Sequence, residues 1–180
     1  MQFIAHIRKK DKQVQTVEEH LIETKRLSEI YGEKIGVKHI TGLAGMLHDL
    51  GKYTNEFREY ILEAVNNPDI PSRRGKVDHS TAGGKFLYEF FHIPKKNLSL
   101  YKGLIAEVVG NAIISHHSYL HDFLNPSLES NYLHRVKEKE LHEFNMTIQS
   151  FFEKVIFHLF LTLPYFFCRT FIGAWIEISS

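Results

Sequence analysis

The chain has 180 residues, of which 43% are hydrophobic and 24% are charged, and this suits one compact domain with a sizeable core. Its formal net charge of +1 at pH 7 excludes a protein that attracts nucleic acid through a strong overall positive field, so any such contact must be local. The single cysteine, Cys168, excludes an internal disulfide, and no cleavable leader is recognised, so we expect a cytoplasmic protein. The 12 histidines are unusual, and their placement decides what they mean.

The first predicted helix covers TVEEHLIETKRLSEIYGEKIG, residues 16–36. Thr16 and Glu19 have the spacing of a capping box, and Gly36 suits the end of the helix. An apolar face is formed by residues that recur at helical intervals: Val17, Leu21, Leu27 and Tyr31. His20 shares this face, so its imidazole is expected to point inward.

The second predicted helix covers HITGLAGMLHDLGK, residues 39–52, where apolar residues recur at helical spacing up to Gly51, which suits a C-terminal stop. His48 and Asp49 would then lie in its last turn. A third helix is predicted for NEFREYILEAV, residues 55–65. The prolines and glycine that follow indicate a loop.

The next predicted helix lies in DHSTAGGKFLYEFF, residues 78–91. Asp78 suits its N-cap, which puts His79 at the helix start. The small residues at 82–84 allow close packing against a neighbouring helix.

Two more helices are predicted further along the chain. The apolar run LIAEVVGNAII, residues 104–114, leads into SHHSYLHD and places His116 near a helix end. Another helix is expected over much of Asn131 to Lys154, since its apolar residues recur on one side. Hardly any strand alternation is visible, so the chain is predicted to be all-α.

The tail, residues 155–180, is atypical. Its leading apolar stretch, Val155 to Leu163, is shorter than the about 20 residues that a membrane span needs, and Pro164 follows it. We therefore predict a buried helix broken near the proline rather than a membrane span.

Imidazoles and carboxylates on inward faces are costly to bury, and a divalent metal satisfies several of them at once. Adjacent helical residues point about 100° apart, so His48 and Asp49 cannot easily chelate one ion from the same side, whereas an aspartate can bridge two ions. A mixture of nitrogen and oxygen ligands suits iron, manganese, nickel, cobalt or zinc rather than calcium. The candidate ligands are His20, His48, Asp49, His79, His116 and His117.

Taken one at a time, these residues have simpler explanations. His20 could be an ordinary core histidine, and His48 with Asp49 could stabilise the charge at a helix end. Asp78 could be an N-cap with His79 as its neighbour. His116 and His117 could lie at the start of a surface loop, and Lys52 could be a solvated cation. Their order along the chain argues for a shared role.

That order, H then HD then H then HH on successive helices, resembles the HD metal-dependent phosphohydrolase superfamily, whose signature is similar to LHDLGK, residues 47–52. The longer strings EEHLIETKRLSE, MLHDLGKYTNEFREYI, KVDHSTAGGKFLYE and AIISHHSYLHDFL resemble the CRISPR-associated HD nuclease of type I interference systems, which is fused to or partnered with the signature helicase. The similarity is strongest over residues 3–124.

The resemblance implies an HD-domain helical bundle over residues 1–180, with a metal centre between helices that cleaves single-stranded DNA. Its partners would be the type I CRISPR helicase and the RNA-guided surveillance complex, with no membrane. One ion would be held by His20, His48 and Asp49, and a second by Asp49, His79, His116 and His117. Asp49 would be the catalytic bridge, and Lys52 would contact the scissile phosphate. The ions implied are manganese, nickel, cobalt or iron, with magnesium as a further candidate.

One feature departs from the family pattern. Relatives carry a further aspartate late in the domain, whereas this chain has no aspartate after Asp122. Glu177 is the only acid in the corresponding stretch, FIGAWIEISS. Either Glu177 replaces the late aspartate as a ligand, or this ligand is absent. The number of bound ions depends on which alternative holds.

Substrate contacts are expected from basic residues near the metal. Arg73, Arg74 and Lys76 are the best candidates because they directly precede His79 in sequence. The other basic groups, Arg8-Lys9-Lys10-Lys12 and Lys95-Lys96, are expected to be solvated turns. Tyr53 or Tyr119 could stack on a base.

Three functions follow from these observations. The first is a metal-dependent endonuclease in antiviral interference; the second is an HD-type nucleotide phosphohydrolase or phosphodiesterase. The third is a non-catalytic HD interaction domain, which the missing aspartate would favour. No helicase fits in this length, so unwinding would come from a partner or from a longer chain of which this is a part.

Overall fold

The computed structural model describes residues 2–67, 76–92 and 100–157. This part of the chain is a helical bundle preceded by a β-hairpin of strands β1 (Ile4–Ile7) and β2 (Val14–Thr16), so the predicted helical fold is confirmed. The helices are α1 (Val17–Glu33), α2 (Lys38–Leu47), α3 (Asn55–Asn66), α4 (Thr81–His92), α5 (Leu100–Ser115), α6 (Asn131–Leu133) and α7 (Phe144–Phe151). A 3-10 turn covers Leu50–Tyr53, and π-helical turns at His134–Glu138 and Phe152–Ile156 extend α6 and α7.

The hairpin and α1 are joined without a linker. The predicted capping box is present: Thr16 Oγ1 accepts from the Glu19 N–H at 3.1 Å, and the Glu19 carboxylate accepts from the Thr16 N–H at 2.9 Å. The Val17 N–H donates to the Phe3 carbonyl at 3.1 Å. These bonds hold the hairpin, which the sequence analysis did not predict, in a set position beside α1.

Helices α1 and α2 pack through small side chains. A Cβ on Gly32 would lie 1.9 Å from Thr41 Oγ1, so the Thr41 side chain fills the space that a larger residue would need. Leu27 and Tyr31 are 54% and 60% exposed, and their assignment to the buried face was wrong. The reason is that α1 meets α2 through small and polar groups at this end and needs no apolar stripe.

The core lies where α1, α2, α4, α5 and α7 meet. Its largest fully buried side chains are Leu21, Leu47, Leu50, Tyr53, Leu87, Ile113 and Phe151, and a second, smaller cluster is formed by Ile114, Tyr132 and Val136. The small residues predicted to allow close packing do so, because a Cβ on Gly83 would lie 2.1 Å from the Leu47 carbonyl oxygen. Helix α4 is therefore held against the end of α2, where the HD pair follows.

The single helix predicted over residues 131–154 was wrong. The chain leaves the helix at Lys139, with φ −69° and ψ 121°, and returns to it at Phe144. The residues of the break are used elsewhere. Lys139 Nζ donates to Asp78 at 2.5 Å, and the Glu143 carboxylate accepts from the Asn55 N–H at 2.9 Å, at the start of α3.

Other boundaries moved by a few residues. Helix α2 ends at Leu47, so His48 and Asp49 follow it directly, and α4 begins at Thr81, so His79 precedes it. Asp78 nevertheless accepts from the Ser80 and Thr81 N–H groups, each at 3.1 Å. The structure therefore places the histidine in a turn held by the aspartate.

Several predicted features lie outside the described residues: Arg73, Arg74, Lys95, Lys96, Glu177 and the tail beyond residue 157. Of the predicted tail helix only its first turn is described, in which Val155 and Ile156 are buried. No helix in the described ranges has the length and apolar character to cross a membrane.

Candidate metal centre

The predicted ligands converge on Asp49, whose carboxylate is buried in the turn after α2. Oδ2 of Asp49 lies 2.9 Å from His20 Nε2 and 3.0 Å from His48 Nε2. Oδ1 lies 3.3 Å from His116 Nε2 and 3.7 Å from His79 Nε2. One carboxylate therefore faces two groups of imidazoles, one at each oxygen.

The first group has the spacing of an ion site. His20 Nε2 and His48 Nε2 are 3.2 Å apart, and both are within 3.0 Å of Asp49 Oδ2. Around an ion with bonds of about 2.1 Å, neighbouring octahedral ligands lie about 3.0 Å apart. The three atoms match one face of such a site.

The second group surrounds the other oxygen. Asp49, His79, His116 and His117 each offer a ligand atom, and all these atoms lie within 4.8 Å of one another. Asp49 Oδ1 is buried, yet it has no hydrogen-bond partner among the described residues. A buried carboxylate oxygen without a partner is costly, and a cation bound there would satisfy it.

Backbone carbonyls set the tautomer of three of these histidines. The Nδ1 atoms of His48, His79 and His116 lie 2.8, 3.0 and 2.7 Å from the carbonyl oxygens of Gly45, Val77 and Ile113. A carbonyl only accepts, so each Nδ1 carries a proton and each ring directs its Nε2 toward Asp49. An Nδ1–H bonded to a backbone carbonyl, with Nε2 left for the ion, is the arrangement of metal-binding histidines.

Lys52 supplies the one ammonium next to this carboxylate in the described part of the chain. Its side chain is only 4% exposed, and its Nζ lies 2.9 Å from Asp49 Oδ2, so the solvated-cation explanation is wrong. Burial raises the pKa of Asp49, but the imidazoles of His116, His20 and His48 outweigh it and hold that pKa well below its usual range. Asp49 is therefore ionised at neutral pH.

The glycine of HDLGK has a steric role. A Cβ on Gly51 would lie 2.6 Å from the His79 Cα, and the Gly51 N–H donates to the His79 carbonyl at 3.1 Å. Gly51 has no positive φ and is not a helix stop, unlike the prediction. It lets the turn that carries His79 approach Asp49.

Sequence reasoning missed His6. Its Nε2 lies 3.2 Å from Lys52 Nζ, its ring centroid lies 4.7 Å from that of His20, and with His20 and Asp49 it forms a third potential ligand group. Burial, then the Lys52 charge, lowers its pKa to about 4. The available signal was the short segment FIAHI, which forms the unpredicted strand β1.

A cavity of about 660 Å³ opens beside the cluster. His6, Lys52, His79 and His117 line one part of it. An apolar wall is formed by Phe57, Tyr60 and Ile61, and the remaining charged lining residues are Lys76, Asp78, Arg135 and Lys139. Lys76 therefore lines the same cavity as His79, and its contact with a substrate stays a prediction.

Neither tyrosine suggested for stacking lines this cavity. Tyr53 is fully buried, and that suggestion was wrong because its ring belongs to the core. Burial also raises the pKa of its hydroxyl. Tyr119 is 75% exposed and is not one of the lining residues.

The sequence profile of the HD domain matches residues 17–145, and the chain belongs to the HD domain family. A search of curated proteins found no match. Members of this family are typically metal-dependent hydrolases, and the imidazole and carboxylate donors around Asp49 fit a divalent ion. The fold and the cluster together define a metal-dependent phosphohydrolase in the general sense.

Proposed function

We propose that the chain is a metal-dependent endonuclease that hydrolyses single-stranded DNA in type I CRISPR interference, with the type I helicase and the RNA-guided surveillance complex as partners. The observation that carries the proposal is one buried carboxylate, Asp49, shared by two imidazole groups beside a cavity lined with cations. The quoted strings that resemble the CRISPR-associated HD nucleases supply the substrate and the partners.

Two ions fit the donors. His20, His48 and Asp49 would hold one, and Asp49, His79, His116 and His117 the other. Manganese, iron, cobalt and nickel suit this mixture better than magnesium, which prefers oxygen ligands. When bound, two such ions supply Lewis acidity and compensate the charge that develops on the attacking and leaving oxygens.

The protein's own groups position the substrate. Lys52 lines the cavity beside Asp49 and provides a positive charge for the scissile phosphate. The low pKa of Asp49 keeps its carboxylate charged, so both of its oxygens stay available as ligands. The carbonyl bonds of His48, His79 and His116 hold the rings in place before substrate arrives.

The cavity lining supports a polynucleotide. Beyond the cluster, Lys76, Arg135 and Lys139 line it with positive charge, and the Asp78 carboxylate there is already paired with Arg135 and Lys139. Charge of this kind can follow phosphates on either side of the cleaved bond.

A nucleotide phosphohydrolase is the second candidate. The apolar wall of Phe57, Tyr60 and Ile61 favours it, because this wall could hold a single base. A non-catalytic interaction domain is less well supported, since the ligand side chains are all present and close together.

The proposal is tested by cleavage of circular single-stranded DNA. Metal-free protein is loaded in turn with manganese, nickel, cobalt, iron and magnesium, and wild type is compared with Asp49→Ala. We expect linear products from wild type and none from the variant. Hydrolysis of nucleotides or cyclic nucleotides without DNA cleavage would favour the second candidate. No cleavage and less than one ion per chain would favour the interaction domain.

The polynucleotide path is tested by DNA binding in EDTA, where no cleavage occurs. Lys76→Ala should weaken binding and reduce the slope of log K against log salt concentration by about 0.7, the value for one phosphate contact on a single strand. Lys38→Ala is the matched control, because Lys38 is a half-exposed lysine paired with Glu33 and does not line the cavity. Equal slopes for the two variants would argue against this path.

A further inference from the structure

We propose that His6 is an additional ligand of the ion held by His20, His48 and Asp49. This inference rests on the proposed metal centre and does not depend on the substrate. Neither the HD pattern nor the matched profile, which begins at residue 17, includes this histidine.

The position of His6 is set by the hairpin. In the antiparallel pair Ile4 lies opposite Thr16 and His6 opposite Gln15, and strand β2 runs directly into α1, which carries His20. Ala5 is fully buried and anchors the strand in the core. The rings of His6 and His20 are therefore held 4.7 Å apart, centroid to centroid, by two rigid elements that are joined without a loop.

The ring of His6 presents a lone pair to the centre. Its Nε2 lies 3.2 Å from Lys52 Nζ, which in turn lies 2.9 Å from Asp49 Oδ2. An ammonium has only donors, so Nε2 accepts from it. The Nε2 lone pair that accepts this hydrogen bond is the same lone pair that would bind a metal ion. Lys52 Nζ therefore lies between two groups that could share an ion.

The first ion needs another donor. His20, His48 and Asp49 supply three ligand atoms, whereas divalent ions of this type take four to about six. The ligand atoms of His6, His20 and Asp49 already lie within 4.8 Å of one another, so His6 can complete the set with a small movement.

Binding at His6 has a consequence for Lys52. A divalent ion repels an ammonium at close range, so an ion held by His6 and Asp49 would exclude Lys52 Nζ from the space between them. Lys52 already lines the cavity, so its ammonium would have room there. The same exchange would deliver the lysine to a bound phosphate.

The test measures metal binding rather than activity. Metal-free wild type, His6→Gln and His6→Asp are titrated with Mn²⁺ by calorimetry, with His39→Ala as the control. His39 is an exposed histidine nine positions before His48 on α2, which places it about 13 Å along the helix axis. We expect two binding events in wild type and in the control. In His6→Gln one of the two events should have an affinity at least tenfold weaker. In His6→Asp that affinity should recover in part, because a carboxylate also binds the ion.

A second measurement identifies the ligand directly. In protein labelled with ¹⁵N at the histidine rings, Zn²⁺ should shift the Nε2 resonance of His6 together with those of His20 and His48. A His6 resonance that does not move, or two unchanged binding events in His6→Gln, would overturn the inference and leave the proposed function standing. If one binding event is weaker in Glu177→Gln and neither event is weaker in His6→Gln, the extra ligand would be assigned to the tail instead. Wild type that binds no ion would overturn the metal centre itself.

Discussion

His6 and His79 have lowered pKa values in the folded protein, and this makes the stability of the metal-free protein depend on pH. Burial lowers the pKa of His79, and burial followed by the Lys52 charge lowers that of His6 to about 4. Both groups take up protons more readily in the unfolded chain once the pH falls below the usual histidine pKa of about 6.5, so the free energy of unfolding decreases. We expect a lower Tm at pH 5 than at pH 7.5, measured by circular dichroism.

The His79→Asn variant should show a smaller decrease in Tm over the same pH range. Asp49 does not contribute to the decrease in Tm over this pH range. Its pKa is depressed in the folded protein, so its stabilising effect is present above the usual aspartate pKa and is lost only below about pH 4. An identical decrease in wild type and variant would show that folding does not lower the pKa of His79.

Gly51 is expected to control the distance between Asp49 and His79. In Gly51→Ala the new Cβ would lie 2.6 Å from the backbone of His79, so one of the two turns must move. We expect the variant to lose about 2 kcal/mol in urea denaturation and to bind Mn²⁺ more weakly.

Gly103→Ala is the matched control for this change. Gly103 lies within α5, and its Cβ would meet only the His92 ring, at 3.3 Å. The control should be unchanged or stabilised by up to about 1 kcal/mol, since alanine favours a helix. Gly51→Ala with the stability and metal affinity of wild type would contradict the steric role.

Helices α4 and α6 are joined by a polar brace at the edge of the cavity. Asp78 accepts from the N–H groups that begin α4, while Arg135 and Lys139 from the end of the α6 segment bind its carboxylate. Arg135 Nη1 also donates to the Ile114 carbonyl at 2.6 Å, near the end of α5. The brace therefore holds together the segments that carry His79 and His116.

Asp78→Ala should destabilise the protein by about 2–3 kcal/mol in urea denaturation, because it removes a helix cap and leaves two half-buried cations without their carboxylate. Metal affinity should fall as well, since His79 follows directly. Asp11→Ala removes another ion pair, with Arg8, but both partners are well exposed. It should leave the denaturation midpoint nearly unchanged. Equal losses in the two variants would show that the brace has no special role.

At the scale of the whole molecule, bound ions would connect the hairpin, α1, the turn after α2, the turn before α4 and the turn after α5. Ligands that bind only the folded state stabilise it by about 2.7 kcal/mol at a hundred times Kd, which corresponds to about 5–10 °C in Tm for a chain of this size. We expect saturating Mn²⁺ to raise Tm by this amount, measured by differential scanning calorimetry. Asp49→Asn should show no rise and His39→Ala the full rise. A wild-type Tm that does not respond to any of the candidate metals would contradict the metal centre.

Most helices were predicted from patterns between residues that lie close together in the sequence. The capping box of Thr16 and Glu19 and the apolar spacing along the chain act between residues a few positions apart, so the sequence shows them directly. The break at Lys139 is different. It depends on a carboxylate more than sixty positions earlier, Asp78, and no local pattern reveals such a partner.

The sequence by itself determined the helical class and the identity and order of the residues around Asp49, because these follow from side-chain chemistry and short-range spacing. Only the tertiary structure decided that Lys52 is buried, that Leu27 and Tyr31 are exposed, and that His6 faces the same carboxylate. Each of these depends on which elements pack together. Burial and proximity are set by long-range contacts between segments, and a single sequence does not display those contacts.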